Sequence, residues 1–108
     1  MIRRGENGPY APAARVMRQR FTVVVSVNEY NSREDARPVC MDVETVREPR
    51  VGVALTDADP TDLQGAVVSV SSIAERDPSW LGEPVGTMSE STLAAVHDRL
   101  ATLLDLPR

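Results

Sequence analysis

The chain contains no lysine, one cysteine, one histidine and no long apolar run. Each scarcity closes off a class of protein. With Cys40 alone there is no internal disulfide, which suits a reducing compartment. Cys40 and the single histidine, His97, cannot furnish a tetrahedral Cys/His zinc set, so no zinc is expected. Nothing along the sequence links the two as a nucleophile and its base. The longest uninterrupted apolar run is Leu93-Ala94-Ala95-Val96, against the ~20 residues of a membrane-spanning helix. The opening Ile2-Arg3-Arg4-Gly5 leads into polar residues rather than an apolar stretch. No signal peptide is read there, and a soluble, cytoplasmic protein is expected.

What is present is a globular composition: 42% apolar and 26% charged residues over 108 positions. That length suits one domain, here read as residues 1–108, able to bury somewhat over ~60% of its unfolded surface. All twelve basic residues are arginines, set against sixteen acids, for a net charge of −4. The distribution is lopsided. Residues 1–20 carry Arg3, Arg4, Arg15, Arg18 and Arg20 against Glu6 alone, whereas the remainder is strongly acidic. A net negative chain argues against broad, sequence-blind duplex binding, which draws most of its affinity from phosphate attraction. It leaves room for a local anion site at the N-terminal arginines. Arginine-only usage fits a GC-rich coding bias and equally favours forked, bidentate phosphate contacts.

The pattern is mostly β. Residues 1–6 resemble the start of a strand, but Asn7-Gly8-Pro9 has strong turn chemistry and interrupts it. Ala11 to Gln19 reads as a loop. Phe21 to Val27, aromatic and β-branched, is a strand covered on both faces. Asn28 to Arg37 is a polar loop. Pro38 to Val46 is a second strand, with Val39, Met41, Val43 and Thr45 on one face and Cys40, Asp42 and Glu44 on the other. Val51 to Leu55 and Ala66 to Ser71 are further strands, separated by a loop rich in Asp and Pro. A helix closes the chain, with Ser89 as its N-cap and Glu90 in its first turn. Leu93, Val96, Leu100, Leu103 and Leu104 form its apolar stripe, expected to be core. Strands followed by one packing helix predict a mainly β protein: a curled, largely antiparallel barrel or sheet with a C-terminal helix.

Several of these segments resemble the MazF/PemK toxin family. They are Arg20-Phe21-Thr22-Val23-Val24-Val25-Ser26 followed by Tyr30-Asn31, the opening Arg4-Gly5-Glu6, and Val70-Ser71-Ser72-Ile73 with Gly82 to Gly86 and the closing helix. The CcdB gyrase-poisoning toxins are similar in element order only. The resemblance implies an SH3-like barrel that forms a homodimer, an endoribonuclease acting on single-stranded RNA without a metal or other cofactor, and neutralisation by an acidic antitoxin peptide. It implies Arg20 as the cation stabilising the phosphorane and Thr45 as the second catalytic group. Arg15 and Arg18 would be substrate contacts from the loop, and Ser26 a structural or substrate-positioning residue.

The chemistry is coherent on its own terms. A guanidinium fork matches two phosphate oxygens, and charge stabilisation in a partly dry groove is often the largest catalytic effect. Because the nucleophile is the RNA 2′-hydroxyl, DNA would not be cut. The chain departs from the family pattern at Phe21, where proline is usual, and at Glu44-Thr45, where a threonine pair is common. Adjacent strand residues face opposite ways, so only one of Glu44 and Thr45 can face the groove; Glu44 there would be a candidate general base. Asp42 with Glu44 reads either as a carboxylate pair or as a solvated strand face. Trp80 reads as core, interface or base-stacking platform, and His97 as a structural helical residue. Two other readings stay open: a CcdB-like gyrase poison, and a catalytically silent protein-binding barrel.

Overall fold

A computed structural model describes residues 2–10, 20–44, 52–60 and 65–107, with Arg20 described by its backbone alone. Strands β1 (Glu6–Tyr10), β2 (Arg20–Val24), β3 (Val39–Glu44), β4 (Gly52–Ala54), β5 (Val67–Glu75) and β6 (Gly86–Thr87) form one antiparallel sheet in the order β4-β5-β3-β2-β1-β6. A one-turn helix α1 (Asn28–Asn31) joins β2 to β3, and α2 (Glu90–Leu104) closes the chain. The curled sheet with its C-terminal helix is the predicted architecture. No helix among the described residues is long and apolar enough to cross a membrane.

Strand alternation decides where the core lies. Val53, Val68, Val43 and Phe21 follow one another across β4, β5, β3 and β2, and Met41 faces Val23 one step further on. With Val70, Val96 and Met88, the valines and Met41 form the buried cluster, against which Phe21 and, from α2, Leu93 and Leu100 pack. The other sheet face is also covered in the middle strands: Thr22, Val24 and Cys40 are buried, as the near-continuous apolar run in β2 predicted. β2 itself is shorter than expected. It ends at Val24, after which the amides of Val25 and Ser26 both turn onto the Val39 carbonyl.

The N-terminal segment overturns one expectation. Asn7-Gly8-Pro9 is not a turn but the middle of β1. Two physical reasons allow it. The carbonyls of Asn7 and Pro9 accept from Val85 and Gly82, on the side away from β2. Pro9 therefore directs its donor-less nitrogen to that same side and removes nothing from the β1–β2 ladder. Gly8 permits close approach: a Cβ there would lie 2.8 Å from Pro84 Cα and 3.1 Å from the Glu83 carbonyl oxygen. Both are backbone atoms. Gly8→Ala is therefore expected to destabilise the fold by roughly 1–3 kcal/mol, visible as a melting temperature lowered by several degrees. An unchanged melting curve would show that the 82–85 segment does not lie tightly on β1.

Two further differences concern helices. The polar 28–37 loop contains α1, held by side-chain bonds rather than apolar burial. The Ser26 hydroxyl donates to Asn31 Oδ1, and Asn31 Nδ2 donates to the Ser26 carbonyl at 2.8 Å. In α2, Ser89 is the N-cap as predicted and accepts from the Thr92 amide. The apolar stripe, however, is core only in its first half. Leu103 and Leu104 are 44% and 55% exposed, because the helix runs past the edge of the sheet face it covers. Asp105, at φ 53°, ends the helix in the left-handed region, and the Leu106 amide returns to the Ala101 carbonyl at 2.8 Å.

Candidate active site

The sheet face turned away from α2 carries the polar chemistry. Position 20 opens β2 and lies directly across from Tyr10 on β1. Thr22, two residues on, faces Asp42 of β3. Because opposed residues share a face, position 20, Tyr10, Thr22, Asp42 and Glu44 all belong to this one. Phe21 faces Val43, so the next step along the ladder brings position 20 beside Glu44. A groove of about 310 Å³ opens on the same face, floored by Gly8, Thr22 and Val24 and walled by Pro78, Leu81 and Pro84.

Asp42 is the hub of this face. Its Oδ1 accepts from the Tyr10 hydroxyl at 3.0 Å and from Arg76 Nη2 at 3.3 Å. The Arg76 guanidinium also lies over the Tyr10 ring, 5.3 Å from its centre. The Asp42 and Arg76 side chains are only 17% and 19% exposed, and Tyr10 is buried. The ion pair is therefore only weakly screened by solvent. Its geometry depends on an irregularity in β5. Between Cys40 and Asp42 the β3–β5 register shifts, so that Cys40 faces Ala74 while Asp42 faces Ser69. The Ser72 hydroxyl fills the break, accepting from the Asp42 amide at 2.7 Å and donating to the Ser69 carbonyl at 2.6 Å. The extra residues re-aim the end of β5 and deliver Arg76 to Asp42.

No family model matches the sequence, and no curated protein matches it significantly. Solved structures do match. An endoribonuclease in complex with its cognate antitoxin, from a Mycobacterial species, superposes with a TM-score of 0.83 at 27% identity, covering 100% of this chain and 99% of its own. An endoribonuclease from a Mycobacterial species gives 0.78 at 28% identity, covering 99% and 94%. MazF in a MazE–MazF crystal from Deinococcus radiodurans gives 0.78 at 18% identity, covering 98% and 97%. The chain has the fold of these structures.

Arg20 stands at the head of β2, on the face just described. Arg15, Arg18 and Thr45 lie outside the described residues. Ser26 lies beyond the far end of β2, roughly 20 Å of extended chain from position 20. Its hydroxyl is engaged internally, accepting from the Val39 amide at 3.0 Å while donating to Asn31. Ser26 thus fastens α1 to β3, and the fold does not bring it to Arg20.

The remaining candidates separate cleanly. Asp42 is neither half of a free carboxylate pair nor a solvated charge, because Arg76 and Tyr10 hold it. Burial pushes the Cys40 thiol up to about 11, the Thr22 hydrogen bond and Arg76 opposing only in part; it is a poor nucleophile at neutral pH. His97 is exposed on α2, with Asp98 3.9 Å away. Trp80 sits half-buried in the turn Pro78–Trp80 beside the groove wall. Tyr10 and Arg76 were not legible as site residues. Arg76 is 34 positions from Asp42, and no motif announces a pairing created by a register shift.

Proposed function

We propose that this chain is a toxin-type endoribonuclease that cleaves single-stranded RNA and is neutralised by an antitoxin. The observation that carries this reading is the full-length likeness, at 27% identity, to an endoribonuclease held by its cognate antitoxin. The arginine that opens β2 on the grooved face supports it.

In the reaction proposed, the RNA 2′-hydroxyl attacks the adjacent phosphorus. The O2′–P bond forms, the P–O5′ bond breaks, the leaving O5′ takes a proton from solvent, and a cyclic 2′,3′-phosphate and a free 5′-hydroxyl result. Arg20 stabilises the added charge on the phosphorane, the role in which a fixed cation contributes most. The second catalytic group is either Glu44, which shares the face of position 20 and would take the 2′-hydroxyl proton, or Thr45, which the family resemblance implies; adjacent strand residues do not both face the groove. Arg15 and Arg18 contact flanking phosphates, and two copies of the chain form a homodimer. No metal is required, because charge stabilisation and proton transfer are both assigned to side chains. An acidic antitoxin segment excludes RNA by competing for the same arginines.

The test is direct. Purified protein is incubated in chelator at low salt with a long mixed-sequence RNA and with DNA of matching sequence. Discrete RNA fragments beside intact DNA are expected. RNA that stays whole across many sequence contexts would remove the ribonuclease reading.

A further inference from the structure

We infer that Arg76 is a charge-masking residue of the candidate active face. By pairing with Asp42 it prevents that carboxylate from repelling RNA phosphate and from competing for the arginine at position 20. The inference rests on the ribonuclease reading and deepens it.

β3 places two acids, Asp42 and Glu44, on the face that begins at position 20. Asp42 faces Thr22 and is thus a diagonal neighbour of position 20, a separation of ~7–8 Å between such residues. That is within the distance over which charges act at physiological salt. Asp42 is mostly shielded from solvent, which weakens screening further. An uncompensated carboxylate there would oppose the chemistry proposed for Arg20.

Arg76 removes this conflict and is fixed in place to do so. Its guanidinium bonds Asp42 at 3.3 Å and lies over the Tyr10 ring, and its own amide donates to the Pro38 carbonyl at 2.9 Å. Stability alone does not account for the arrangement. Arg76 Nε is buried with no acceptor among the described residues, a cost to folding. An apolar pair of similar volume commonly serves a protein interior as well as a buried ion pair or better. What an apolar pair at these positions would equally achieve is neutrality. The specific demand for Arg76 arises because Asp42 is present, anchoring Tyr10 at 3.0 Å.

The experiment compares the full-length protein with Asp42→Asn, Arg76→Met and the double variant. Two readouts are taken: RNA cleavage, split into kcat and KM, and binding of a 2′-O-methyl oligonucleotide by fluorescence anisotropy across a salt series. Arg76→Met is expected to weaken binding about tenfold at low salt, chiefly through KM, with the deficit shrinking as salt rises. The double variant should regain most of that loss, because the unmasked carboxylate is gone. Asp42→Asn keeps an acceptor for Tyr10 and leaves Arg76 uncompensated, so it should bind several-fold more tightly than the parent. This single variant keeps the inference testable if Arg76→Met does not fold. A double variant as weak as Arg76→Met, or an Asp42→Asn protein that binds less tightly than the parent, overturns the masking role while the parent still cuts RNA. A parent that neither cuts nor binds RNA removes the ribonuclease reading and this inference together.

Discussion

Arg20→Ala is expected to lower RNA cleavage by roughly 10²–10³-fold or more while leaving the melting temperature within about 2 °C. The two halves of this result come from different physics. The phosphorane carries more negative charge than the bound substrate, so a cation placed beside it stabilises the transition state more than the ground state. The loss should therefore appear in kcat as well as in kcat/KM. Stability should hardly change, because the hydrophobic cluster lies on the opposite sheet face. Arg20→Lys should recover only part of the rate, since an ammonium keeps the charge but not the two-pronged fit to phosphate oxygens. An Arg20→Ala protein that cuts like the parent would place the chemistry elsewhere on the chain.

The largest expected effect on stability comes from Asp59→Ala. Asp59 is 7% exposed. Its carboxylate accepts from Thr92 Oγ1 at 2.6 Å, from the Ser89 amide at 2.8 Å, and from the amide and hydroxyl of Thr56 at 2.9 and 3.0 Å. It thereby ties the turn after β4 to the N-terminus of α2, where the helix dipole also favours an anion. Burial pushes the Asp59 carboxyl up, but the bonds from Thr92, Thr56 and Ser89 outweigh it and hold the group at about 2, against an ordinary 3.8. A depression of that size corresponds to about 2 kcal/mol of folding stability. Alanine would lose it and leave buried donors without partners, for a total near 3 kcal/mol and a fall of at least ~10 °C in melting temperature.

The pH dependence has a definite sign. The contribution is complete above pH ~4, where the unfolded chain is also ionised, and it drains away as pH falls toward 2. Asp59→Asn should therefore be less stable than the parent at neutral pH, and the gap should close on acidification. Thermal melts of both proteins between pH 2 and 7 measure it. A gap that stays constant across this range would show that the Asp59 charge plays no part.

How much of this was readable beforehand depended on the kind of force involved. Apolar periodicity revealed β2, β3 and the body of α2, because burial of Val23, Met41, Val43 and Val96 follows directly from spacing. Ser89 was readable because an N-cap is a local device. β1 was not, since the fitness of Gly8 for a strand depends on Pro84, far along the chain, and that of Pro9 on which side its ladder partner lies. Leu103 and Leu104 show the converse: the helical period is right, but the sheet ends before the stripe does. At the candidate site, strand alternation set Asp42 on one face with Cys40 and Glu44, whereas the role of Arg20 is proposed from a motif. The Arg76 partnership was not legible, because it is made by a break in register rather than by any regular repeat.

That same β1 sets a boundary on how copies of this protein can meet. Along its outer margin the carbonyls of Asn7 and Pro9 are already occupied by Val85 and Gly82, and Pro9 has no hydrogen to offer. A foreign strand arriving at this margin would find no free template to extend. Extension of the sheet by a strand added directly to β1 is blocked there.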